Sequence, residues 1–182
     1  MPAKDARGIA KDGTDDMKLW GPFSAAGMAV GLLAAAADQA FKVWMIGVFE
    51  AGQSGKIVLA PFFDLVMAWN RGISYGLLKQ DSDTGRWMLI AVSILAIAGL
   101  AYWLAQIQNR LAALSIGLVL GGAAGNVIDR IRFGAVADFF SFHAGSFYWY
   151  IFNVADVAIV AGVAGLLFDS LNGSHKSAGK QA

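Results

Sequence analysis

One run of the chain, WMLIAVSILAIAGLAYWLAQ (87–106), contains no charged side chain and most constrains the fold. An α-helix needs about 20 mostly apolar residues to cross the hydrocarbon core of a bilayer. Three further segments of similar character lie at about 19–46, 111–128 and 147–168. In lipid, backbone polar groups must be satisfied within the protein, which favours helices. We therefore predict four transmembrane helices.

The overall composition also indicates a membrane protein. Of 182 residues, 57% are hydrophobic and only 15% are charged, whereas soluble domains carry about a quarter charged residues. The formal net charge of +1 gives no indication of a nucleic-acid surface. Because the chain has no cysteine, disulfides and thiolate chemistry are excluded. Its two histidines, His143 and His175, leave little with which to build a zinc site.

The polar segments divide the chain into one membrane domain with two tails. Residues 1–18 are predicted to be a disordered tail, residues 19–168 the four-helix domain, and residues 169–182 a second polar tail. The first long loop, 47–86, contains a β-branched and aromatic stretch at 55–78 that predicts short strands. The expected fold is therefore an all-α membrane protein with a small β-rich region outside the bilayer.

The four predicted helices place both tails and the short turn 107–110 on one face of the membrane. The two long connections, 47–86 and 129–146, then lie on the other face. Basic residues are almost evenly divided between the two faces, so the positive-inside rule does not orient the chain.

The polar residues in and near the spans gather toward the face with the long connections. Asp169, at the end of the last span, is the exception among the carboxylates. Ionisable residues within a membrane are costly and usually face a protein interior or a water-filled cavity. We therefore predict a single polar site. Its candidate members are Asp38, Lys42, Asn126, Asp129, Arg130, Asp138, Asn153 and Asp156.

Several of these residues also permit a purely structural interpretation. Asp38 and Lys42 are four residues apart and can pair along one helix face. Asp156 differs, because its own span holds no basic residue to neutralise it. Two carboxyl groups in a poorly hydrated cleft share a proton, and such a pair can activate water for peptide hydrolysis. Neither periodicity nor spacing establishes that Asp138 meets Asp156.

Five sequence blocks carry a resemblance to a known family. They are DQAFK (38–42), NRGISYG (70–76), GGAAGNVIDR (121–130), VADF (136–139) and FNVAD (152–156). With these blocks in this order, the chain resembles the bacterial lipoprotein signal peptidases, or signal peptidase II, from about residue 20 to 168. That family consists of aspartic intramembrane endopeptidases that cleave prolipoproteins just before a lipid-modified cysteine.

The resemblance implies which residues form the site. The catalytic aspartates fall on Asp138 and Asp156. The positions that bind substrate or organise the site fall on Asp38, Lys42, Asn70, Gly72, Asn126, Asp129, Arg130 and Asn153. Within this set, Asn70 is expected to offer its amide to the substrate backbone. No metal and no organic cofactor is implied.

The resemblance also implies a cellular setting. Both tails are expected in the cytoplasm, and the site toward the periplasmic side of the inner membrane. Expected partners are lipidated prolipoproteins and membrane lipid, not nucleic acid. We expect a monomer, because four helices can enclose the site.

His143 is expected to be a solvent-facing loop residue.

Two other classes of function compete with a peptidase. A small proton- or cation-coupled transporter also carries intramembrane carboxylates, but it would place them near the midplane, accessible from each side in turn. A non-catalytic assembly or chaperone subunit would need no paired carboxylates. Cleavage of a lipidated peptide, but not of its unlipidated form, would distinguish a peptidase from both.

Overall fold

A computed structural model describes residues 19–51, 55–72 and 83–178 of the chain. These residues form four long helices and a small sheet, which confirms the predicted architecture, and all four helices are long and apolar enough to cross a membrane. The helices are α1 (Ser24–Glu50), α2 (Asp83–Gln106), α3 (Arg110–Phe133) and α4 (Val154–Ala178). The strands are β1 (Ile57–Ala60), β2 (Phe63–Asn70), β3 (Val136–Ala144) and β4 (Phe147–Tyr148).

Helices α1 and α3 approach closely through glycines. A Cβ atom added to Gly31 would lie 2.9 Å from the carbonyl oxygen of Gly117, and one added to Gly27 would lie 2.7 Å from that of Ala113. Small residues allow such backbone contact between membrane helices. Because residue numbers rise together along this contact, α1 and α3 run in the same direction.

Helix α4 packs on α3 in the opposite direction. Gly162 lies against Ser115, while Asp169, further along α4, accepts a hydrogen bond from Asn109 at the start of α3. The beginning of α4 therefore meets the end of α3. This places both helix ends beside the sheet, where the polar residues gather.

The sheet is antiparallel, with strand order β1-β2-β3-β4. Strands β1 and β2 lie in the first long loop, as predicted. Strand β3 lies in the second connection, which was not predicted to contain a strand, and β4 lies at the start of the predicted fourth span. Phe139 and Ala137 of β3 are buried against Met45 of α1. This contact anchors the sheet on the helices.

The fourth predicted span begins too early. Helix α4 starts at Val154 rather than near residue 147, because Phe147 and Tyr148 pair with β3 and Phe152 bridges to Phe140. At the other end, α4 continues to Ala178, so residues 169–178 are helical. The predicted disorder of residues 1–18 and the end of the second tail, 179–182, lie outside the described residues.

Candidate active site

Asp138 and Asp156 come from different elements and meet around Asn153. The side-chain amide of Asn153 donates to Oδ1 of Asp138 at 2.6 Å. Its backbone N–H donates to Oδ2 of Asp156 at 3.2 Å. The structure thus brings together two carboxyl groups that are separated by a strand, a turn and a second strand along the chain.

The local sequence explains how Asn153 serves both carboxyl groups. Asn153 immediately precedes α4, and its side-chain oxygen accepts a hydrogen bond from the backbone N–H of Asp156 at 3.0 Å. Together with the reverse bond from the N–H of Asn153, this forms a reciprocal capping box at the helix start. The capping bonds leave the Nδ2 group of Asn153 free to reach Asp138. A carboxylate in the first turn is also favoured by the helix dipole.

Asn126 connects the pair to the interior of the bundle. Its Nδ2 group donates to Oδ1 of Asp156 at 3.0 Å. Its Oδ1 atom accepts from Asn153 at 3.2 Å and from Nζ of Lys42 at 3.3 Å. The position of Asp156 is therefore fixed from both α3 and its own helix.

Asn70 reaches the other carboxyl group from the end of β2. Its Nδ2 group donates to Oδ2 of Asp138 at 3.1 Å, and its Oδ1 atom accepts from the backbone N–H of Gly72 at 3.0 Å. The carbonyl oxygen of Gly72 lies 3.5 Å from Nη2 of Arg130. One N–H of the Asn70 amide is directed at Asp138; because the amide nitrogen carries two N–H donors, its donation to the substrate backbone stays a prediction.

A buried ion cluster holds the backbone next to both Asp138 and Asp156. Nζ of Lys42 lies 2.9 Å from Asp38 and 2.7 Å from Asp129, and all three side chains are almost completely buried. Asp38 accepts a hydrogen bond from the N–H of Ala155 at 2.9 Å, and Asp129 accepts one from the N–H of Ala137 at 3.1 Å. Each of these alanines directly precedes one of the paired aspartates.

Gln39 belongs to the same cluster, although the sequence did not single it out. Its Nε2 group lies 3.2 Å from Asp38 and 2.9 Å from Asp129. It also lies 3.2 Å from the carbonyl oxygen of Gly125. A polar side chain between two apolar stretches, directly after Asp38, was the signal that could have identified it.

The environment of Asp138 favours its protonated form. Burial raises the pKa of Asp138 to about 7, against a hydrogen bond from Asn153 that lowers it. The nearby charge of Asp156 raises this pKa further, and the hydrogen bond from Asn70 lowers it. The Asp138 carboxyl therefore exchanges its proton near neutral pH and holds it at lower pH.

Two cavities meet at Asp156. The smaller, of about 160 Å³, is largely polar and is lined by Asn70, Gly72, Asn126, Arg130, Val136, Tyr150 and Asp156. The larger, of about 540 Å³, is apolar and follows α4. It is lined by Phe142, Trp149, Tyr150, Phe152, Asp156, Val157, Val160, Ala161 and Ala164. The site thus joins a polar chamber to an apolar groove.

His143 does not have its expected position. It lies on β3 rather than in a loop, its side chain is only 13% exposed, and Nε2 is 3.0 Å from Oδ2 of Asp64. The expectation of a solvent-facing residue is wrong because the second connection forms a strand. Asp64 was not identified from the sequence.

Comparison with known proteins agrees with the resemblance. The family model described as Signal peptidase (SPase) II matches residues 30–172. A lipoprotein signal peptidase of Nitrobacter hamburgensis is 52% identical over 148 residues, which cover 79% of this chain and 90% of that protein. One of Rhodopseudomonas palustris is 48% identical over 151 residues, covering 81% and 92%.

Solved structures share the fold. Two structures described as bacterial membrane enzymes, determined by the in meso method at 2.3 and 1.9 Å resolution, each match with a TM-score of 0.69 and 22% identity. The first match covers 82% of this chain and 90% of the other, and the second covers 85% and 97%. Since the family model spans most of the chain and the relatives match over nearly their full length, this protein belongs to the signal peptidase II family.

Proposed function

We propose that this protein is an intramembrane aspartic endopeptidase that removes the signal peptide from diacylglyceryl-modified prolipoproteins, cutting before the lipid-modified cysteine. Family membership supports the removal of signal peptides. The observation that carries the aspartic mechanism is the pair Asp138 and Asp156, both held by Asn153. Paired carboxyl groups that share a proton suit the addition of water to a peptide carbonyl.

In the proposed reaction, the two carboxyl groups have different roles. Asp156, which borders both cavities, takes a proton from water as the hydroxyl oxygen bonds to the scissile carbonyl carbon. Asp138, whose burial favours the protonated form, gives its proton to the carbonyl oxygen. As the tetrahedral intermediate collapses, the proton on Asp156 passes to the departing amine nitrogen and the C–N bond breaks. The hydroxyl proton of the intermediate then returns to Asp138.

The apolar groove suits the lipid part of the substrate. It runs along α4, a membrane-spanning helix, and ends at Asp156. Acyl chains in this groove would place an adjacent peptide bond next to the polar chamber. We further propose that the sheet end faces the periplasm, that the chain termini are cytoplasmic, and that the monomer is the active unit.

The central test uses one peptide in two forms. The purified full chain, reconstituted in lipid nanodiscs, is incubated with a signal-peptide substrate whose cysteine is or is not diacylglyceryl-modified. We expect cleavage of the modified form only, immediately before the cysteine, as read by mass spectrometry. Equal cleavage of both forms, or of neither, would contradict the proposal. Proton uptake by vesicles containing the protein, without cleavage, would favour a transporter.

Filling the groove should weaken binding of the lipidated substrate. Ala161→Phe places a ring in the apolar groove, so we expect KM to rise about tenfold with little change in kcat, which corresponds to about 1.4 kcal/mol of lost uniform binding. Val163→Phe is the matched control, because Val163 is exposed on the same helix but does not line the groove. An equal effect of both variants would exclude the groove as the lipid site.

Removing Asn70 should move the high-pH limit of activity. The hydrogen bond from Asn70 lowers the pKa of Asp138, so Asn70→Ala should raise it. Because Asp138 must be protonated to donate, activity falls as pH rises through its pKa, and in the variant this fall should occur at higher pH. The measurement is kcat/KM against pH for both proteins. An unchanged or lower limit would contradict the assigned role of Asp138.

A further inference from the structure

A second group of ionisable side chains lies outside the proposed catalytic site and crosses the sheet. Lys56 precedes β1, Asp64 lies on β2 and His143 on β3. Asp64 is completely buried, and its Oδ2 atom is 3.0 Å from Nζ of Lys56 and 3.0 Å from Nε2 of His143. We call these three residues the sheet cluster. Both contacts of Asp64 therefore lie within ion-pair distance of a buried carboxylate.

The fourth strand is joined to the same cluster by ring stacking. His143 pairs with Tyr148 of β4 across the sheet, and their rings stack with centroids 4.9 Å apart. Asp64 pairs directly with Val58 on β1 and with Ser141 on β3. One buried carboxylate therefore contacts a side chain of β3 and the side chain of the residue directly before β1.

The pairing of β2 with β3 changes register between this cluster and the proposed catalytic site. Leu65 pairs with Phe140, but the next pair is Ala68 with Asp138. Two residues of β2, 66 and 67, therefore lie opposite the single Phe139, which is a β-bulge. Side chains alternate between the faces of a strand, so this extra residue decides which face the following residues occupy.

The bulge is what lets Asn70 reach Asp138. Asn70 pairs with Val136, which lies on the same face of β3 as Asp138 two residues later. If β2 lost its extra residue from the ladder, the Asn70 side chain would turn to the opposite face and lose its hydrogen bond to Asp138. The geometry of the proposed catalytic site thus depends on strand register.

We propose that the sheet cluster is a register clamp, which fixes the bulge in β2 and thereby positions Asn70 on the carboxyl group of Asp138. A one-residue slip at Asp64 would carry its carboxylate to the other face, away from Lys56 and His143. A buried charge separated from its partners is strongly unfavourable, so the cluster opposes that slip. Asp64 and His143 act as positioning residues, through Asn70.

The test rests partly on the proposed function and partly on a measurement that does not need it. Asp64→Asn keeps the side-chain shape and removes the charge. We expect kcat for the lipidated peptide to fall about tenfold, with KM nearly unchanged. A tenfold loss lies within the range of interaction energies measured between coupled residues. The pH above which kcat/KM falls should be higher than in the wild type, as in Asn70→Ala. The double variant should be no slower than Asn70→Ala alone, because both changes remove the same hydrogen bond.

The independent measurement is the titration of Asp138, followed by NMR of protein labelled with 13C in the aspartate carboxyl groups. Asp64→Asn should raise the pKa of Asp138, whether or not the peptide is cleaved. Leu59→Thr on β1 is the control, because Leu59 is exposed and outside the cluster. If the wild type does not cleave the lipidated peptide, the proposed function is contradicted. The titration of Asp138 would still test whether the sheet cluster acts as a register clamp.

Two results would overturn the clamp. One is an Asp138 titration in Asp64→Asn that matches the wild type. The other is a double variant whose rate loss is the product of the two single losses. If Asp64→Asn does not fold, Lys56→Met combined with His143→Gln removes both partners of Asp64, and the same two measurements decide the matter.

Discussion

Replacing Asp138 with Asn should lower kcat for a lipidated peptide by about 10²–10⁴-fold, the usual contribution of a positioned acid or base. Asn cannot supply the proton that the carbonyl oxygen needs. It also offers one acceptor atom where Asn153 and Asn70 each donate to a separate oxygen of Asp138. The measurement is single-turnover cleavage in nanodiscs, with the thermal midpoint recorded for each protein.

The control for this prediction is the matching change at the other carboxyl group. Asp156→Asn should reduce kcat to a similar extent, and the double variant should be no slower than either single variant, because residues that act as a unit are not additive. Near-normal turnover by Asp138→Asn in a folded protein would show that the pair is not catalytic.

Replacing Lys42 with Met should destabilise the protein by about 3–5 kcal/mol, the usual cost of breaking a buried ion pair from one side. Lys42 lies within 2.9 Å of Asp38 and within 2.7 Å of Asp129, and both carboxylates are completely buried. Without the ammonium group they repel each other in a poorly polarisable environment. Unfolding in mixed micelles with increasing sodium dodecyl sulfate measures the loss.

The triple variant Asp38→Asn, Lys42→Met and Asp129→Asn tests the cause. It removes the charges together, so its stability should exceed that of Lys42→Met alone. The Asn side chains retain an oxygen that can accept from Ala155 and Ala137. A triple variant as unstable as Lys42→Met would show that packing of the lysine stem, rather than charge, stabilises the helices.

The helices were predictable because apolar length is a local property of the sequence. Helices α2 and α3 differ from their predicted spans, 87–106 and 111–128, by at most five residues at either end. The start of α4 was not predictable in the same way. Residues 147–152 are all aromatic or aliphatic, which suits the start of a membrane span. Their pairing with β3 through β4 and Phe152 depends on a strand whose own pairing with β2 reaches back about 70 residues.

The members of the site were predictable, but their partners were not. Short motifs indicated Asn70 and Asp138, yet the hydrogen bond between them depends on a bulge that motifs do not encode. Gln39 and Asp64 were missed because some of their partners are distant in sequence, Asp129 for Gln39 and His143 for Asp64. His143 was assigned to solvent because its strand was not foreseen.

Asp138 and Asp156 lie on different secondary-structure elements, and this has a consequence for biosynthesis. Asp138 is presented by a strand of the sheet, whereas Asp156 belongs to the first turn of α4, the last described helix. A nascent chain lacks that helix until the other three described helices and the strands of the sheet have been synthesised. Peptidase activity of the proposed kind would therefore begin only after α4 has entered the bilayer. A partly inserted chain would not cleave other proteins in the membrane.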